Sequence, residues 1–190
     1  LEKFSKLKPD NGIPDKKEDI LYSDDYIKIV KFEDWSIIDG RDIAFCIPYL
    51  IESNQIILRQ EYIPSFKYVT GKDFYLALVG GGIEIGETPD KALIRELEEE
   101  AGIVLRDDFE LDKVEPLFLN KGCSNQFYGY IIPLHERDYH EVISKGDGSK
   151  IEDISKSVKI DIKFLKSLII SDIMTDYMIF KLKEYLNMFV

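Results

Sequence analysis

The segment "VGGGIEIGETPDKALIRELEEEAGI", Val79 to Ile103, decides how the rest of the chain is read. It carries seven carboxylates: Glu84, Glu87, Asp90, Glu96, Glu98, Glu99 and Glu100. Crowding of this kind disfavours the charged forms unless something compensates. The second half of the segment is predicted to be a helix. Thr88 suits the N-cap, Pro89 the first helical position and Gly102 the C-terminal cap. Leu93, Leu97 and Ala101 recur every fourth residue and make one apolar stripe.

At about 100° per residue, Glu96, Glu99 and Glu100 fall on the arc adjoining that stripe. Arg95 lies beside Glu99 and can restrain a carboxylate, whereas Glu98 and Lys91 point to water. Hard cations such as Mg2+ or Mn2+ take oxygen ligands, combining a few carboxylates with waters and substrate phosphates. Three carboxylates on one helical face supply that donor set. Gly80, Gly81 and Gly82 read as a glycine turn before the helix, with backbone freedom closed to other residues. Such a turn can aim a carbonyl at a metal or bring main chain close to a ligand. Glu87 is near enough to bond the loop or a metal-bound water. A solvated acidic helix after a flexible turn is the competing reading of "RELEEEAG" taken alone.

A chain of 190 residues suits one domain with a small appended lobe. The formal net charge of −11 argues against a non-specific nucleic-acid binder, which needs basic surface. It is compatible with an acidic site that holds an anionic substrate through a divalent cation. Cys46 and Cys123 do not make a disulfide framework, and Cys46 in "IAFCIPYLI" reads as a buried thiol. No N-terminal apolar segment resembles a signal peptide, and no apolar run approaches the ~18 residues of a membrane span. A cytoplasmic location with no membrane association is the expectation.

Residues 1–19 are polar, with Pro9, Gly12 and Pro14, and read as a loose arm. "ILYSDDYIKIVKFEDWSII" gives short strand-like pieces. "RDIAFCIPYLIESNQIILRQEYIP" reads as a hairpin turning at Glu52, Ser53 and Asn54. "SFKYVTGKD" is expected to be an exposed loop, and "FYLALVGGG" a buried strand that breaks into glycines. Strand character returns in "FELDKVEPLFLN", "NQFYGYIIPL" and "ISKSVKIDI", with a long charged loop from His135 to Asp153 before the last of these. "IKFLKSLI" and "TDYMIFKLKEYLNMF" read as two closing helices. The pattern suggests a mixed sheet with helices on its faces, an α/β architecture.

Gly81, five residues, Glu87, seven residues and then "RELEEEAGI" fit the Nudix box in full, G-x5-E-x7-R-E-U-x-E-E-x-G-U with U aliphatic. The matched positions are Gly81, Glu87, Arg95, Glu96, Leu97, Glu99, Glu100, Gly102 and Ile103. The chain thus resembles the Nudix hydrolases. The resemblance implies an α/β/α sandwich around a mixed β-sheet, and hydrolysis of a nucleoside diphosphate linked to another group. It implies Mg2+ or Mn2+ as cofactor, with Glu96, Glu99, Glu100 and the Gly80 carbonyl as metal ligands. By the same resemblance, Glu87 and Arg95 hold loop and helix together, and Gly81 and Gly82 lie against substrate. Glu99 or Glu96 orients the attacking water.

A broader likeness runs from "ILYSDDYIKIVKFEDWSIIDGRD" to "RQEYIP", which is similar to the N-terminal region of ADP-ribose and nucleotide-sugar pyrophosphatases. It implies an N-terminal arm and strand lobe over residues 1–42, a Nudix domain over 43–190, and a homodimer that exchanges the lobe. Trp35 and Arg41 occupy positions comparable to substrate-binding residues there. The chain departs from the pattern in "RQEYIP", in the longer "SFKYVTGKDFYLAL", and in "NKGCSNQ", where Lys121 can contact a phosphate or terminal group. Glu152 in "SKIEDISKSVKI" is the expected general base, with Asp153 or Glu141 as alternatives. His135 and His140 read as solvent histidines. The implied substrate is ADP-ribose or a related nucleotide sugar. The alternatives are NADH, a dinucleoside polyphosphate or a modified nucleoside triphosphate, and a nucleotide-sugar sensor that binds without cleaving.

Overall fold

A computed structural model describes residues 19–24, 27–112, 114, 116–118, 121–144, 154–168, 170 and 172–188. The chain divides into two compact units, one within residues 1–40 and 120–124, the other within 41–119 and 125–190.

The first unit is an antiparallel sheet of β1 (Asp19–Ser23), β2 (Lys28–Phe32) and β3 (Trp35–Asp39), in that order. Glu33, in the turn between β2 and β3, adopts a left-handed φ of 52°. The segment around Gly122 closes on β3: the Ile38 N–H donates to the Gly122 carbonyl and the Ser124 N–H to the Ile38 carbonyl. Ser124 Oγ also donates to Asp39 at 2.6 Å.

The second unit is built on β4 (Ile43–Leu50) and β5 (Gln55–Tyr62), the expected hairpin. It continues through α1 (Pro64–Thr70), β6 (Phe74–Ala77), β7 (Val79–Gly82), α2 (Pro89–Ala101) and β8 (Ile103–Leu105). Then come β9 (Leu117–Phe118), β10 (Gln126–Leu134), β11 (Tyr139–Glu141), β12 (Lys156–Asp161) and α3 (Ile173–Tyr185). The main sheet runs β12-β5-β4-β10-β9, with β6 on β5 and β7 on β4. β4 and β10 are parallel and the other pairs antiparallel, so the sheet is mixed. β8 and β11 form a separate two-stranded ladder.

Alternation along the strands assigns the two faces. Ala44, Cys46 and Leu50 of β4 and Tyr130, Ile132 and Leu134 of β10 pack with Leu93 and Leu97 of α2. Phe45, Ile47 and Tyr49 of β4 and Leu58 of β5 pack instead with Met178, Ile179 and Leu182 of α3. The central strand is therefore apolar on both sides, and α2 and α3 cover opposite faces. This is the expected α/β sandwich, accompanied by the small N-terminal antiparallel sheet.

β4 and β5 pair only next to their turn, at Tyr49–Ile56 and Leu50–Gln55. Beyond it they separate, and β6 and β7 fill the space, β6 against Arg59–Tyr62 and β7 against Ile43–Cys46. Pro48, which has no N–H to give, falls between these two pairings of β4.

Four local expectations need correction. "SFKYVTGKD" is exposed but not a loop: Pro64 starts α1, and Gly71 ends it at φ 72° with its N–H on the Lys67 carbonyl. No residue of α1 is buried, so its sequence carries no apolar stripe to betray it. Gly80, Gly81 and Gly82 form a strand rather than a turn, and the turn follows at residues 83–88. "IKFLKSLI" makes one 3-10 turn at Ile162–Phe164 instead of a helix. The charged stretch after His135 contains β11, which pairs with β8 just past the C terminus of α2.

Candidate functional site

β7 and α2 form the site, and local chemistry places both. The Thr88 side chain accepts the Lys91 N–H at the N-terminus of α2. At its other end Gly102 is left-handed, φ 63°, with its N–H on the Glu98 carbonyl. Leu93 and Leu97 are fully buried on the sheet, which rotates Glu96 and Glu100 inward beside them. Glu98 and Lys91 are exposed, as expected.

Gly80 has φ 147°, and a Cβ there would overlap the Ala44 carbonyl oxygen and Phe45 Cα. Only glycine lets β7 lie this close to β4. The Gly80 N–H donates to Glu100 Oε2 at 2.7 Å. A Cβ on Gly81 would overlap the Glu96 carboxylate, so main chain and acid touch directly. On Gly82 a Cβ would lie 3.6 Å from Arg41 Cδ, so the Arg41 side chain runs alongside that glycine.

Arg95 organises the outer half of the site. Its Nε and Nη2 each bond Glu87 at 3.2 Å, and Nη2 also donates to the Gly82 carbonyl at 3.1 Å. Its Nη1 reaches Glu96 at 2.7 Å and Glu99 at 3.0 Å. Glu87 in turn accepts the Glu84 N–H at 3.0 Å, and the Arg95 guanidinium holds its carboxyl below the usual range. The guanidinium thus ties the turn, the end of β7 and two helix carboxylates together.

Glu100 occupies the inner half. Burial pushes its carboxyl up to about 8, against the downward pull of Arg59 and the Gly80 N–H, with Glu96 adding repulsion. Arg59 of β5 lies 3.3 Å from Glu100 Oε1 and is almost fully buried. Cys46 lies beneath this acid pair: burial, then Glu100 and Glu96, raise its thiol well above the ordinary value. It is the buried thiol the sequence suggested.

Arg59 is the site residue that sequence reading missed. Its signal was a lone charge in "IILRQ", on the same strand face as Ile57, which packs toward α2. Asp90, by contrast, is held by Tyr130 Oη at 2.7 Å on the helix's first turn, away from the acid cluster.

Other expected residues lie elsewhere. In the N-terminal unit Lys121 Nζ stands 5.6 Å from the centre of the half-exposed Trp35 ring, which brings those two candidates together. The Arg41 carbonyl accepts the Asn125 amide at 2.7 Å. Glu141 is engaged by Lys159 at 2.6 Å, and His135 by Glu52 at 2.8 Å. Glu152 and Asp153 lie outside the described residues.

The donor set can be tested against a hard cation. Among the described residues no three His, Cys, Asp or Glu side chains form a ready cage. What is present is an oxygen-only group: buried Glu96 and Glu100, half-exposed Glu99, and the glycine strand in contact with two of them. That suits a cation of the Mg2+ type, which keeps waters and takes one or two carboxylates plus phosphate oxygens.

Residues 40–160 match the family model for the NUDIX domain. The chain belongs to the Nudix family. It is an enzyme, a Nudix pyrophosphatase. A solved structure described as an ADP compounds hydrolase superposes with a TM-score of 0.63 at 17% identity, over 90% of this chain and 95% of that one. At that identity the likeness supports the Nudix fold. Comparison with curated protein sequences gives no match. Among the described residues, no helix is long and apolar enough to cross a membrane.

Proposed function

We propose that this Nudix enzyme is a divalent-metal-dependent hydrolase of the pyrophosphate bond in a nucleoside diphosphate joined to another group. ADP-ribose or a related nucleotide sugar is the proposed substrate, and a nucleoside monophosphate and a sugar phosphate are the products. The observation that carries this reading is the junction of β7 with α2. There the Gly80 N–H meets Glu100, Gly81 touches Glu96, and Arg95 gathers Glu87, Glu96 and Glu99. The neighbour's description as a hydrolase of ADP compounds supports the choice of nucleotide.

Glu96, Glu99, Glu100 and the Gly80 carbonyl would hold Mg2+ or Mn2+. When bound, the cation neutralises pyrophosphate oxygens and lowers the barrier to attack at phosphorus. Arg95 keeps the helix acids and the turn in register and holds Glu87 ionised. Glu99 has the most exposed side chain of the three helix acids, 35% against 9% for Glu96 and 7% for Glu100, so it is the best placed to orient a water. Glu152 remains the proposed general base. Gly81 and Gly82 present main chain to the substrate, and Arg41, running beside Gly82, contributes positive charge. Trp35 and Lys121 are proposed as substrate-binding residues, a ring and an ammonium that stand together in the N-terminal unit.

A homodimer that exchanges the N-terminal lobe is part of the same reading. It is supported by the apolar side chains that lobe leaves exposed, among them Ile20, Tyr22, Phe32 and Trp35. A cytoplasmic location is proposed with it.

The test is a hydrolysis screen of nucleoside diphosphate derivatives in Mg2+ and in Mn2+, with products identified by mass. Turnover of nucleotide sugars with release of a monophosphate is expected. Glu100→Gln should abolish that turnover and leave circular dichroism unchanged. Wild-type rates in the variant would refute the assignment.

A further inference from the structure

Arg59 is a buried arginine that the box does not contain and that the proposed chemistry has not used. It sits in the middle of β5, 3% exposed, and alternation turns it toward α2. Its guanidinium touches one residue twice: Nη2 is 3.3 Å from Glu100 Oε1, and Nη1 donates to the Glu100 carbonyl at 3.1 Å. Its Nε is buried with no hydrogen-bond partner among the described residues. An arginine placed only for stability would be expected to have that donor satisfied, since an unpartnered buried donor is destabilising.

The remaining bonds define what is being held. The other carboxylate oxygen of Glu100 accepts the Gly80 N–H at 2.7 Å. Its carbonyl, at the open C-terminal end of α2, also accepts Ser157 Oγ at 2.8 Å and Ser144 Oγ at 3.2 Å. Glu100 is therefore fixed at both ends, and among the described residues Arg59 is the one side chain that holds both. A guanidinium can do this because its donors diverge in a rigid plane; a single ammonium cannot span the two oxygens with the same fork.

We propose that Arg59 is a positioning residue, a resident cation that fixes the direction of the Glu100 carboxylate toward β7 so that a divalent cation meets it preset. This rests on the metal reading of the site given above. Groups behind metal ligands commonly govern affinity by 10–100-fold, roughly, through orientation alone.

The experiment measures direct Mn2+ binding, by the electron paramagnetic resonance of free Mn2+, in wild type, Arg59→Met and Arg59→Lys, alongside thermal unfolding. Arg59→Met is expected to raise the Mn2+ dissociation constant at least ~10-fold. Arg59→Lys keeps the charge but loses the two-point hold, and is expected to raise it about 3-fold or more on the same grounds. With substrate present, the Mn2+ concentration for half-activation should rise in step, and KM for the nucleotide at saturating Mn2+ should stay put. If Arg59→Met does not fold, Arg59→Lys decides alone. Unchanged Mn2+ affinity in the folded variants, whatever their stability, assigns Arg59 to the fold and overturns the proposal. Tighter Mn2+ binding also overturns it, by making Arg59 a competitor of the metal. If wild type binds no Mn2+, the metal reading of the site fails and this proposal with it; wild-type binding with unaltered variants sinks the proposal alone.

Discussion

Gly80 shows how closely one position constrains the site. It combines a φ that disfavours any side chain with a close approach to β4 backbone, and its N–H meets Glu100. Gly80→Ala is expected to destabilise the protein by more than about 2 kcal/mol, because the added methyl meets main chain that cannot rotate away. Chemical unfolding would show it as a lower midpoint at unchanged slope. A midpoint within error of wild type would mean that β7 can shift sideways without loss. At the same scale Arg95 and Arg59 divide the acids between them. Arg95 takes Glu87, Glu96 and Glu99 near the surface, and Arg59 takes Glu100 in the interior. That division is the physical answer to the crowding of carboxylates in "RELEEEAG". Repulsion is offset by two guanidiniums and, on the proposed reading, by a cation.

α2 is the element on which the site depends, and its ends are set by local chemistry. Thr88 caps the first turn by accepting the Lys91 N–H at 3.3 Å, and Gly102 closes the last. Thr88→Ala should cost about 1 kcal/mol of stability, measurable by denaturant titration. Activity at saturating metal should change little, because the carboxylates lie two turns further on. A large loss of turnover with no loss of stability would instead give Thr88 a part in the chemistry. The contrast between α2 and α1 is instructive. α2 buries Leu93 and Leu97 and has a readable apolar stripe, whereas α1 buries nothing and is held by Pro64 at one end and Gly71 at the other.

On the scale of the whole molecule, the sheet brings together residues far apart in the chain. Arg59 on β5, Gly80 on β7, Glu100 on α2 and Ser157 on β12 converge on one carboxyl-terminal turn. A ligand that binds only this assembled state must stabilise it. Mg2+ or Mn2+ at 100 times its dissociation constant should add ~2.7 kcal/mol. For a chain of this size that raises the melting temperature by several degrees, at roughly 2–4 °C per kcal/mol. Differential scanning calorimetry with and without metal reads it directly, and Glu100→Gln should shrink the shift. An equal shift in wild type and Glu100→Gln would place the bound metal elsewhere.

The box residues and α2 were legible in the sequence, because a helix cap, an apolar stripe and a carboxylate spacing are all local, set by residues within a few turns of one another. The α/β layering was legible too, since an apolar run such as "IAFCIPYLI" has to be covered on both sides. Local pattern could not reveal that Gly80, Gly81 and Gly82 form a strand. That depends on β4 and β5 parting to admit β6 and β7, and the β4–β7 pairing joins segments more than thirty residues apart. Nor could it find Arg59, which reads as an ordinary strand charge until α2 is laid across β5. The sequence by itself determined which acids stand on one face of one helix. Only the tertiary structure decided that Glu100 meets Arg59, because that pairing is made by burial across the sheet, whereas Arg95 meets Glu99 through helical spacing alone.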